Sequence, residues 1–117
     1  MIRDQLIGGL SEIADDELDK VIIAYEPVWA ISSTKAAKYA SPNEISEAVE
    51  LIRKSLAKVY GAKKAEEVPV LFGGSVNPST AGGYLTIPGV NGLLIGGSSL
   101  ILSEFTDIIE IAKRVKS

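Results

Sequence analysis

Three places in the sequence combine residues that can do chemistry: Tyr25-Glu26-Pro27, Gly73-Gly74-Ser75 and Gly96-Gly97-Ser98-Ser99. Each follows a short apolar run: Val21 to Tyr25, Val68 to Phe72, and Leu93 to Ile95 with its flanks. Paired glycines let other groups approach the backbone closely, permit unusual dihedrals and expose amide N–H groups to an anion. For one pair alone, a tight turn is the better reading. Two pairs at neighbouring strand ends, both with serine attached, shift the balance toward anion binding. Residues 98–102 then form a short extra helix after Gly97, with its positive end toward a phosphate.

Glu26 taken by itself is a solvated strand-end charge or half of a salt bridge. Pro27 changes that weighting because it fixes the backbone immediately behind the carboxylate. A carboxylate held over an apolar mouth can have its pKa raised and serve as a general base. Trp29 is more often packing than chemistry, and here it is placed to anchor the start of a moving loop.

These residues need elements to position them. The three apolar runs are continuous rather than alternating, which predicts parallel strands covered on both sides. Ser41-Pro42-Asn43-Glu44 is a capping box with proline at the first helical position. Behind it Ile45, Ala48, Val49, Ile52, Leu56 and Val59 share one face, and Gly61 ends the helix. Asn77-Pro78 starts a second, weaker helix that Gly82 and Gly83 loosen and Pro88-Gly89 stops. A third begins near Ser103, with Phe105, Ile108, Ile109, Ala112 and Val115 inward. Before the first strand, Leu6, Ile7, Leu10, Ile13 and Ala14 predict a helix beginning almost at Met1. The order is α-β-α-β-α-β-α, an α/β class with a parallel sheet and right-handed crossovers. Residues 1–117 read as a single domain, or part of one. In such folds ligands sit outside the carboxyl ends of the strands, so the three tips share one face.

Composition narrows the function. With 12 Lys and Arg against 15 Asp and Glu, the net charge of -3 argues against a broad nucleic-acid face. Cysteine is absent, so neither disulfides nor thiolate metal sites form. No apolar run approaches the roughly 20 residues that span a bilayer, and the first residues do not form a signal peptide. A cytoplasmic setting is expected, with no cofactor or metal. Histidine is also absent, which removes the commonest acid–base side chain near neutral pH.

The stretch Ala24-Tyr25-Glu26-Pro27-Val28-Trp29-Ala30-Ile31, then Phe72-Gly73-Gly74-Ser75-Val76, then Leu94-Ile95-Gly96-Gly97-Ser98, closely resembles the triosephosphate isomerase family. The resemblance runs from the helix before strand six to the final helix of a (β/α)8 TIM barrel, so the fold it implies is a partial barrel. It further implies that Glu26 is the catalytic base, moving a proton between adjacent carbons of dihydroxyacetone phosphate and D-glyceraldehyde 3-phosphate through an enediolate. That division of roles comes from the family enzyme and not from residue patterns in this chain. Ser75, Gly96 and Gly97 resemble phosphate-binding positions, acting largely through backbone N–H groups. Residues 27–37, with Pro27, Trp29, Ser33, Thr34, Lys35 and Ala37, resemble the lid that excludes water.

The departures from the family are specific. Its lid motif Ile-Gly-Thr-Gly-Lys is here Ile31-Ser32-Ser33-Thr34-Lys35, without either glycine. Ser32 can still offer its N–H to a phosphate. Phe72 replaces a tyrosine whose hydroxyl latches the closed lid. The segment from Lys35 to Pro42 is longer than usual, a change that surface loops tolerate. A barrel of this type normally needs about 250 residues and eight strands. The family's Asn-x-Lys on the first strand and its electrophilic histidine on the fourth have no counterpart here. Met1 followed directly by a helix fits a genuine start at a split point, and a cloned fragment would look the same. A partner chain carrying strands one to five is therefore expected, giving a split glycolytic and gluconeogenic isomerase. The alternatives are a non-catalytic phosphate-binding module and a purely structural barrel fragment. A dimer of this chain offers six strands, short of a closed barrel.

Overall fold

The structure, a computed structural model, describes residues 2–27 and 41–116. Three strands form one parallel sheet in the spatial order β1-β2-β3, with β1 at Ile23–Tyr25, β2 at Val70–Gly73 and β3 at Gly92–Leu94. Each strand is shorter or shifted relative to its apolar run. Pro69 has no N–H for the ladder, and the ladder begins where Ile23 N–H donates to Pro69 O at 3.0 Å. Register pairs Ile23 with Val70, Tyr25 with Phe72, Phe72 with Leu93, and Gly73 with Leu94.

Five helices accompany the sheet: α1 at Ile2–Leu10, α2 at Pro42–Tyr60, α3 at Ala62–Glu67, α4 at Pro78–Leu85 and α5 at Leu102–Lys116. α3 and the 3-10 turn Asp15–Lys20 add to the predicted alternation. Helix α2 starts as its sequence dictates, with Ser41 Oγ accepting from Glu44 N–H at 3.2 Å and donating to Glu44 Oε1 at 3.0 Å. Its inward stripe is Ile45, Ala48, Val49, Ile52, Ser55, Leu56 and Tyr60. Val59 is not part of it and stands 53% exposed. α1 ends at Leu10, so Val59 is left on the rim of a cleft of about 140 Å³ between the two helices. Tyr60 instead reaches under that helix end, donating to Ile13 O at 2.9 Å. Ile13 and Ala14 lie beyond α1, which two consecutive glycines near its end weaken. On α5, Ile108 is buried but Ile109 is 41% exposed, because the side of α5 that meets α4 carries Ile108 and Ile111.

The core lies between the sheet and this helical layer. Val70, Phe72 and Val90 are almost fully buried, with Ile23, Tyr25 and Leu93 packed beside them. Phe72 stacks obliquely on Tyr84, ring centroids 4.7 Å apart. Side chains alternate across a strand, so Ala24, Leu71 and Leu94 point to the opposite face. That face is open: Ile22, in the same parity, is 65% exposed and Leu94 is 42% exposed. The expectation of cover on both sides is met on one side only among the described residues.

The amino ends of the strands are tied together by Arg53 of α2. Its guanidinium donates to Ala65 O at 2.7 Å, Val68 O, Gly89 O at 3.0 Å and Asn91 Oδ1 at 2.8 Å. Asn91 Oδ1 also accepts from Val70 N–H at 2.9 Å, joining the start of β2 to the residue before β3. No helix among the described residues is long and apolar enough to cross a membrane.

Candidate active site at the carboxyl ends of the strands

Glu26 continues the row of β1 that faces the open side of the sheet. The next position across is Gly73, and beyond it Leu94, its register partner on β3. A Cβ added at Gly73 would lie 3.3 Å from Glu26 Cγ and 3.3 Å from Leu94 Cβ. Gly73 therefore leaves the floor on which the Glu26 side chain lies, and Leu94 forms its far border. The Glu26 side chain is exposed, while Pro27 behind it is buried and fixes its base. On the other side, Glu26 and Pro27 line a cleft of about 660 Å³ that also touches Ala24 and the α1 residues Gln5 and Leu6. Tyr25 points the opposite way, into the helical layer. Burial first, and then the charge of Glu44, raise its hydroxyl pKa above the ordinary tyrosine value.

The second tip is anchored by the start of α4. Gly73 and Gly74 are buried and Ser75 is half-buried. Asn77 caps the helix, its Oδ1 accepting from Ser79 N–H at 2.9 Å and Thr80 N–H at 3.2 Å. Thr80 Oγ1 reciprocates, accepting from Asn77 N–H at 3.0 Å, and lies 3.3 Å from Ser75 O. Ser75 is thus placed by a cap whose Asn77-Pro78 half is visible in sequence. The contribution of Thr80 is not.

The third tip lies beyond Leu94. A 3-10 turn at Gly97–Leu100 stands where residues 98–102 were expected to form a short helix. Ser99 donates to Gly96 O twice, from its N–H at 2.9 Å and from its Oγ at 2.5 Å. Gly96 and Gly97 are exposed, with nothing within 4 Å of a Cβ placed at either. None of Gly73, Gly74, Gly96 and Gly97 has a positive φ; among the described residues only Gly61 and Gly89 do. The tip glycines serve through the space they leave and not through a left-handed backbone.

The sheet register therefore brings Glu26, the Gly73-Gly74-Ser75 tip and the Gly96-Gly97 tip to one end. Trp29, Ser32, Ser33, Thr34, Lys35 and Ala37 lie outside the described residues. Phe72, read in sequence as the missing lid latch, is buried between the rings of Tyr25 and Tyr84. Sequence reasoning missed one further pair at this end: Ser98 is buried, and its Oγ donates to Glu104 Oε1 at 2.6 Å.

The sequence model of the family described as triosephosphate isomerase matches residues 1–112. A triosephosphate isomerase of Chlamydia abortus is 43% identical over 109 residues, covering 93% of this chain and 41% of the relative. One of Caldanaerobacter subterraneus subsp. tengcongensis is 39% identical over the same length, covering 43% of the relative. One of Geotalea uraniireducens is 39% identical over 113 residues, covering 97% of this chain and 44% of the relative. The chain spans less than half the length of the curated relatives it matches. Its three parallel strands, with helices on one face and glycine tips at their carboxyl ends, are a partial TIM barrel. By sequence and by fold, this chain belongs to the triosephosphate isomerase family, as a C-terminal portion of it.

Proposed function

We propose that this chain supplies one wall of a triosephosphate isomerase active site, the other wall coming from a partner chain that carries strands one to five. Glu26 takes a proton from the carbon beside the carbonyl of dihydroxyacetone phosphate and returns it to the neighbouring carbon. The enediolate between them collapses to D-glyceraldehyde 3-phosphate. Backbone N–H groups at Ser75, Gly96 and Gly97, with Ser32 from the lid, hold the phosphate. The lid of residues 27–37, including Trp29, Ser33, Thr34, Lys35 and Ala37, excludes water and protects the intermediate. The chain has no histidine, so the group that polarises the carbonyl is the partner's. The reaction is cytoplasmic and belongs to glycolysis and gluconeogenesis.

The observation that carries this reading is the placement of Glu26 over Gly73, in the row that ends two residues before Gly96. A base and an anion cradle at one sheet end are what proton transfer on a phosphorylated triose requires. Need for a partner is supported by the open face. Beyond Ile22 and Leu94, the run Leu100, Ile101 and Leu102 is exposed at 88%, 47% and 82%. An apolar surface of this kind on a chain of less than half the family length matches an interface resembling a cut core.

The test is co-expression with the N-terminal portion of a full-length relative, followed by assay of triose phosphate interconversion. The mixture is expected to turn over, and Glu26→Gln to lower kcat by about a thousandfold. Turnover by the purified chain alone would overturn the two-chain reading. Phosphate binding without turnover in any mixture would favour the non-catalytic module.

A further inference from the structure

We propose that Glu104 is a positioning residue. Through the buried Ser98 hydroxyl it holds the Gly96–Gly97 turn in the arrangement that presents backbone N–H groups to a phosphate monoester. This rests on the reading of that tip as an anion cradle and adds the device that sets it.

Ser98 and Ser55 are the buried polar side chains of the described core. Ser55 is satisfied within its own helix, donating to Leu51 O at 2.8 Å. Ser98 reaches out of its turn to a carboxylate six residues on, at 2.6 Å. That distance is typical of a charge-assisted O–H···O⁻ bond, among the stronger side-chain bonds available. Glu104 lies in the first turn of α5, where a carboxylate is favoured by the helix and is held by its own backbone.

Peptide geometry links this bond to the cradle. Gly96 O is turned back into the turn by its two bonds from Ser99. In a planar trans peptide the Gly97 N–H points opposite to Gly96 O, so it faces out of the turn. Space for a bulky anion exists there, since a Cβ at Gly96 or Gly97 meets nothing within 4 Å. What fixes the turn relative to the rest of the chain is limited. The backbone continues through Ile101 N–H to Ser98 O at 3.2 Å and Phe105 N–H to Ile101 O at 2.9 Å. Leu100, Ile101 and Leu102 are exposed and add little packing. The Ser98–Glu104 bond is the side-chain tie across that weakly packed stretch.

The experiment uses the ¹⁵N-labelled 117-residue chain titrated with inorganic phosphate, following the Gly96 and Gly97 amide resonances. The wild-type resonances should shift saturably. Ser98→Ala and Glu104→Ala should each weaken phosphate binding about tenfold. Glu104→Gln keeps an oxygen that accepts from Ser98 and should stay within about threefold of wild type. Amides of Ile52 and Val70 report on the core and should be unchanged in all three variants. If Glu104→Ala does not fold, Ser98→Ala, which removes a single oxygen, decides the matter. Wild-type affinity in the folded alanine variants overturns the proposal, as does a loss in Glu104→Gln equal to that in Glu104→Ala. A wild-type chain whose glycine amides ignore phosphate overturns the cradle itself, and the positioning role with it.

Discussion

At the amino ends of the strands, one guanidinium donates to three carbonyl oxygens and an amide oxygen drawn from three separate segments. At the carboxyl ends, Glu26, Gly96 and Gly97 stand exposed, and the hydrogen bonds nearby run mainly within their own turns and caps. The same three strands thus carry two unlike ends. One end spends its polar groups on holding elements together, and the other leaves them presented to whatever arrives. In barrels of this class the carboxyl face hosts chemistry and the amino face stability. Here that division is already complete within three strands.

The contrast can be broken most directly at Arg53. Replacing it by methionine strands several carbonyls and should lower unfolding free energy by about 2–4 kcal/mol, read from urea titration. Lysine in its place should recover little, because an ammonium cannot match the planar fork. A change no larger than that of Lys54→Met, an exposed neighbour, would refute the assignment of stability to this end.

Gly89→Ala comes next. Gly89 has φ +89, and a Cβ there would lie 2.7 Å from Val49 Cγ1. A loss of about 1–3 kcal/mol is expected on the same titration. Gly73→Ala sharpens the comparison from the other end. Its new Cβ would meet Glu26 and Leu94 side chains at 3.3 Å, and both can give way. Stability should fall by under about 1 kcal/mol, while the Leu94 methyl resonances and turnover in the reconstituted enzyme change. A loss as large as that of Gly89→Ala would erase the distinction between the ends.

The smallest effect is alkaline. Tyr25 has its pKa raised above 10.0 by burial and by Glu44, so the folded chain keeps its phenol protonated longer than the unfolded chain does. Its contribution is full below the unfolded value and is lost as pH rises past it toward the folded value. Urea midpoints measured at about pH 8 and about pH 10.5 should diverge, and Tyr25→Phe should reduce the divergence.

Much of the carboxyl end was legible because its signals are local. Glu26-Pro27, the glycine pairs and the caps at Ser41 and Asn77 each declare themselves within four residues. The amino end was not, because its organising residue looks like any solvated helix charge. The carbonyls that define the role of Arg53 belong to Ala65, Val68 and Gly89, which are 12, 15 and 36 residues away. Periodicity placed Val59 and Ile109 inward, yet each lies where the neighbouring helix ends or turns aside, which no single-helix pattern records. The six residues of α3 are too few for a period to register. Ser98 and Glu104 escaped notice for a related reason: a serine and a glutamate six apart match no standard helical pairing.

The three strands lie side by side in the order in which the chain makes them. Each can dock on its predecessor as soon as it is synthesised, with no distant segment to be found first, a topology that favours quick assembly. Growth of this kind always adds to the newest rung and never returns to the oldest. Whatever completes the layer beside Ile23–Tyr25 must therefore wait in finished form, whereas the side of Gly92–Leu94 is last to emerge and is filled after release. Closure is then two events separated in time, and the slower one sets how long the half-built layer stays sticky.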